Sequence, residues 1–198
     1  MISGLSSCLV ETLLKNDIIE NKQAPAYQYG FEIFISTIVT CIITLASGLI
    51  LNCLSAVLLY FGLFVMLRSV CGGYHAGTYW QCNLTFLLVT IAVLLIYKYT
   101  TVEQFSDLHY CSIALSVLIT AVYAPVENEN KPLSDRQKKL FRILSMAMVL
   151  IISSISCLLL IKFCSSYSIV IDLTLFVVSV SVFVTEFQKV GEENEQNN

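Results

Sequence analysis

Apolar residues run along this chain in blocks close to twenty long, with short polar interruptions between them. A helix needs about that many to cross a ~30 Å hydrocarbon core at ~1.5 Å per residue. The pattern predicts six spans: Tyr29–Leu49, Ile50–Leu67, Asn83–Tyr99, Leu108–Pro125, Phe141–Phe163 and Ser168–Phe187. The second and third are short for a full crossing, which predicts little tilt, a partly re-entrant path or a thinned bilayer. Ahead of them, Ile2, Leu5, Leu9, Leu13 and Ile18 recur at helical spacing, with Glu11, Lys15 and Lys22 largely on the other side. This amphipathic stretch either lies in the membrane interface or packs on its neighbours. Lys22-Gln-Ala-Pro25 breaks it. The expected organisation is an all-α polytopic membrane protein: an interfacial helix over 1–25, a membrane-spanning domain over 26–189 and a disordered acidic tail over 190–198.

Composition sharpens this reading. Of 198 residues, 57% are hydrophobic and 13% charged, against roughly 45–50% and 25% in soluble domains. The net charge of −3 gives no footing for nucleic acid. Charge placement says more than the sum. With six spans and the N-terminus inside, the inner segments hold Lys15, Lys22, Arg68, Lys131, Arg136, Lys138, Lys139, Arg142 and Lys189, and the outer ones only Lys98 and Lys162. That asymmetry places both termini and the 126–140 loop on the cytoplasmic side. No basic leader with an A-x-A-like cleavage site precedes the first apolar run.

The eight cysteines are scattered through apolar runs without a C-x-x-C pair, so they form neither a zinc framework nor a disulfide scaffold. His75 and His109 are the only histidines, too few for a histidine-rich metal site, and no metal or cofactor is expected.

One stretch breaks the apolar pattern with chemistry: Arg68-Ser-Val-Cys-Gly-Gly-Tyr-His-Ala-Gly-Thr-Tyr-Trp-Gln-Cys82. Gly72, Gly73 and Gly77 together oppose a continuous helix and permit close backbone approach. Thr78-Tyr-Trp-Gln81 has the form of a capping box, which predicts a new helix starting near Thr78. On an unbroken helix His75 and Cys82 would stand ~10 Å apart, too far for proton exchange. A turn over Gly72–Gly77 can fold the imidazole back onto the first turn of the next helix. There Cys82 also meets the positive end of the helix dipole, which favours thiolate. A thiol at a helix start beside a histidine is the equipment of a cysteine protease, although most histidine–cysteine pairs in membrane proteins are packing residues.

Arg68-x-x-x-Gly72-Gly73-x-His75-Ala76 followed by Cys82 resembles the signature of the accessory gene regulator B (AgrB) family. A second stretch, Ala124-Pro125-Val-Glu-Asn-Glu-Asn-Lys131-Pro132, is similar to the family's Ala-Pro…Lys-Pro loop, with one lysine where the family often carries several. The resemblance implies a membrane cysteine endopeptidase that trims the propeptide of a cyclic quorum-sensing signal, acting as a homodimer. It implies Cys82 as nucleophile and His75 as base, with Arg68, Gly72 and Gly73 in support: the glycines shaping the turn, Arg68 fixing it at the headgroups. Its partners would be a precursor peptide and the bilayer. The basic loop Lys131–Arg142 suits an acidic precursor tail, or topology and anionic lipid alone. Lys131 and Glu32 are therefore candidate substrate contacts, and Glu32 can alternatively orient His75. Asp172 and His109 fall toward the outer side, where His109 reads as an interfacial residue. The rival class is a non-catalytic multipass transporter or scaffold, in which the short spans around the glycines form a pore element.

Overall fold

The computed structural model describes residues 2–73, 78–127 and 133–196. They form seven helices: α1 (Ile2–Lys15), α2 (Ala24–Ile50), α3 (Leu54–Cys71), α4 (Tyr79–Tyr99), α5 (Val102–Tyr123), α6 (Asp135–Phe163) and α7 (Tyr167–Gln196). Six of them, α2 to α7, are long and apolar enough to cross a membrane.

Local chemistry sets the helix ends. Thr101 and Ser134 open α5 and α6 as reciprocal capping boxes with Gln104 and Gln137, satisfying backbone donors that have no partner in the first turn. The second span runs Leu54–Cys71, four residues beyond the predicted Ile50–Leu67. α2 keeps its apolar pattern to Ile50, and the chain then turns through Asn52, whose φ is +55°. At 18 residues, α3 is about 27 Å long, so that short span is as expected. The other is not short: α4 begins at Tyr79 and has 21 residues, because the Thr78 cap brings in four residues too polar for the hydropathy pattern.

α7 occupies the centre, with α3, α4, α5 and α6 packed around it. Apolar side chains bury on both of its sides. Val170 joins Ala56, Val57, Tyr60 and Leu94 in one cluster, and Ile171, Leu175, Val178 and Val182 join Leu67, Cys71, Val149 and Ile152 in the other. α2 lies outside against α3 and α4. α1 is shorter than the pattern suggested, ending at Lys15 before a turn through Asp17. It packs on α2 with Ser6 and Val10 buried, and Gln28 donates to Ser7 at 3.2 Å. Leu58, Leu118, Ile151 and many like them stay exposed, as lipid-facing side chains do.

Candidate functional site

The site is assembled where α3 ends and α4 begins. Gly72 and Gly73 have φ of +76° and +139°. L side chains rarely adopt such backbone. Space requires glycine as well. A Cβ on Gly72 would stand 2.3 Å from the Val126 carbonyl oxygen, and one on Gly73 would stand 2.6 Å from Ser181 Oγ and 2.9 Å from Arg68 Nη1. The turn is therefore clamped between two elements. On one side the Val126 N–H donates to the Cys71 carbonyl at 3.0 Å. On the other, Gly73 touches α7 and the guanidinium.

Arg68 is half-buried, its guanidinium carbon 5.8 Å from the Phe64 ring centroid, and among the described residues the ionisable groups Cys82 and Tyr60 feel its charge. A cation thus exerts its field on the thiol within a largely apolar bundle.

Thr78 caps α4, its Oγ1 accepting the Gln81 N–H at 3.3 Å. Half of the expected box is present; among the described contacts Gln81 does not reach back. The Cys82 N–H donates to the Thr78 carbonyl at 3.1 Å, so Cys82 closes the helix's first hydrogen-bonded turn. The N–H groups of Tyr79 and Trp80 then have no acceptor within the helix and point toward its start. Cys82 is a free, half-buried thiol. His75 and Lys131, two of the residues singled out in the sequence, lie outside the described residues.

Glu32 accepts from Ser6 Oγ at 3.3 Å and lies within hydrogen-bonding reach of Tyr79. It ties α1 and α2 to the first residue of α4, three positions before the thiol. Past the site, Glu127 bonds Lys138 at 3.0 Å and accepts the Leu133 N–H at 3.0 Å. The Lys138 ammonium, with that N–H second, holds the Glu127 carboxyl below the usual carboxylate range.

Two features escaped the sequence reading. Asn83, next to the thiol, is buried, and its Oδ1 accepts both Ser36 Oγ and Thr40 Oγ1 of α2 at 3.1 Å each. An amide inside an apolar run was the available signal. The second is His109, which is not interfacial: it is fully buried, and its Nδ1 pairs with Asp172 of α7. Ser156 of α6 donates to the other Asp172 oxygen at 2.6 Å, and the His109 Nε2 is buried without a hydrogen-bond partner. An acid within a span calls for a named partner, which would have pointed to it.

The fold and site define a class: a multi-pass helical membrane protein with a thiol at a capped helix start, beside a half-buried arginine and a double-glycine turn. Comparison with known proteins gives the family. The model of accessory gene regulator B matches residues 6–184, and the chain belongs to that family, which takes part in autoinducer-peptide processing in quorum sensing. It is 26% identical over 144 residues to a putative AgrB-like protein of Clostridium perfringens, covering 70% of this chain and 67% of that one. It is 26% identical over 122 residues to protein FsrB of Enterococcus faecalis, covering 59% and 50%. No solved structure matches.

Proposed function

We propose that this chain is a cysteine endopeptidase that cuts a signal-peptide precursor and passes the acyl group on to form a ring. The observation that carries the reading is the placement of Cys82. It ends the first turn of a capped helix, beside the Arg68 guanidinium and across the double-glycine turn that leads to His75.

His75 takes the Cys82 proton, and the sulfur attacks a precursor carbonyl. The orphan N–H groups of Tyr79 and Trp80 and the Arg68 cation are the positive partners available to the developing oxyanion. As the C–N bond breaks, His75 returns the proton to the leaving amine, and the C-terminal fragment departs. A thioester remains on Cys82. A cysteine or serine of the precursor then attacks this thioester, closing a thiolactone or lactone and restoring the Cys82 thiol. Tethering gives that internal nucleophile a large effective concentration, and an apolar surround disfavours water. No cofactor enters. Glu32 and Lys131 are proposed contacts for the precursor. The excess of inner cations supports an active site on the cytoplasmic side, and the proposed working unit is a homodimer.

The test is reconstitution in vesicles with a candidate precursor, comparing wild type, Cys82→Ala and His75→Ala by mass spectrometry. Cleavage should vanish in both variants, and wild type should carry an acyl adduct on Cys82. Absence of both adduct and cleavage in wild type, with both variants behaving like it, would sink the peptidase reading in favour of a non-catalytic membrane role.

A further inference from the structure

Beyond the thiol site lies a cavity of about 320 Å³, formed where α5 ends, α6 begins and α7 leaves the bundle. Lys138, Lys139, Arg142 and Lys189 line it, against Glu127 and Glu186. The Lys138 charge is taken up by Glu127 at 3.0 Å, which leaves an excess of positive charge from Lys139, Arg142 and Lys189 over Glu186.

The cavity's level relative to the bilayer follows from length. α6 has 29 residues. It therefore spans about 43 Å, longer than a hydrocarbon core of about 30 Å. That surplus, with the cost of placing charge in hydrocarbon, accommodates its first two turns, which carry Lys138, Lys139 and Arg142, beyond the acyl chains. The Arg142 guanidinium donates to the Ala121 carbonyl at 3.3 Å, which aims it at the end of α5. At the same level Tyr123 packs edge-on against Phe183, which stacks on Phe187; both phenylalanines are exposed. Cations above and exposed aromatic rings beside them suit a molecule with an anionic head and an apolar body.

We infer that this cavity is a binding site for the phosphate headgroup of an anionic phospholipid, and that its occupant braces the catalytic turn from behind. The floor is the strap Ala124–Glu127. Its outer side lines the cavity, and its inner side holds the turn through the Val126 N–H bond to Cys71 and the contact with Gly72. A headgroup bridging Arg142 and Lys139 pins the strap, and the strap pins the glycines. The lipid binding itself stands independently of the peptidase reading.

The test uses full-length protein released from vesicles containing phosphatidylglycerol or phosphatidylcholine, with retained lipid counted by native mass spectrometry. Wild type should keep phosphatidylglycerol over phosphatidylcholine. The double variant Lys139→Gln/Arg142→Gln should bind it at least about tenfold more weakly, since it loses two of the cations that attract an anionic headgroup. The variant Lys15→Gln/Lys22→Gln, with the same net charge but both changes near the end of α1 and away from the cavity, should bind as wild type does. Equal loss in both variants, or equal retention of the two lipids, overturns the site. So does displacement of phosphatidylglycerol by a soluble glutamate-rich peptide, which would assign the cavity to an acidic peptide. The bracing is read separately, from Cys82 alkylation by a maleimide, which needs no substrate. Its rate should differ between phosphatidylglycerol and phosphatidylcholine vesicles in wild type and not in the Lys139/Arg142 variant. Identical rates in wild type would overturn the bracing.

Discussion

Asn83 sets the direction in which the thiol points. A helix with few cross-helix polar contacts can rotate about its axis, and a rotation that moves a nucleophile by ~1 Å can cost roughly 100-fold in rate. By accepting two hydroxyls of α2 from inside the bundle, Asn83 fixes that rotation one residue after Cys82. Asn83→Leu is expected to slow Cys82 acylation by roughly 10–100-fold with little change in KM. Asn83→Asp, which still accepts both hydroxyls, should recover most of it; a single-turnover assay of thioester formation separates the two. The glycines allow a graded comparison. Gly72→Ala drives a methyl into a backbone carbonyl, whereas Gly73→Ala meets the ends of two side chains that can shift. Thermal unfolding in detergent should show the larger loss for Gly72→Ala. Gly73→Val should abolish processing while the protein still inserts, because the branched side chain would strain a φ of +139° and displace both Ser181 Oγ and Arg68 Nη1.

At the scale of elements, what could be read in advance followed the range of the interaction. Thr78 as a cap was legible because its partner is three residues away, and the break at Gly72-Gly73 because backbone freedom is a local property. The cap placed the start of α4 correctly, but the length of the third span was underestimated because hydropathy weighs composition and not hydrogen bonds. The pairing of His109 with Asp172, 63 residues apart, was invisible because only packing brings α5 and α7 together. That pair with Ser156 fastens three helices. Asp172→Ala would leave His109 and Ser156 facing an apolar gap, and each buried polar group left without its partner costs about 1–3 kcal/mol. Replacing both partners with apolar side chains, as in His109→Leu/Asp172→Leu, should recover much of the loss. Melting curves that rank the double variant below the single one would contradict this account.

The whole molecule presents thiols on surfaces that report its orientation. Cys164 sits exposed in the turn between α6 and α7, and Cys8 is exposed on α1. With both termini inside, a membrane-impermeant maleimide applied to intact cells should label Cys164 and reach Cys8 only after permeabilisation. The opposite labelling would invert the topology and move the proposed active site to the other face. Cys111 is exposed too, yet it lies in the middle of α5; among lipid tails it should resist the reagent from either side.

The capped start of α4 also carries an optical probe. Trp80 is the chain's single tryptophan, 72% exposed and two positions before Cys82. Its fluorescence is therefore a signal from one place, undiluted by any other indole. A precursor docking at the thiol, or a lipid exchanged nearby, would change the polarity around that ring. The colour of its emission would then follow occupancy of the site in real time, without a label.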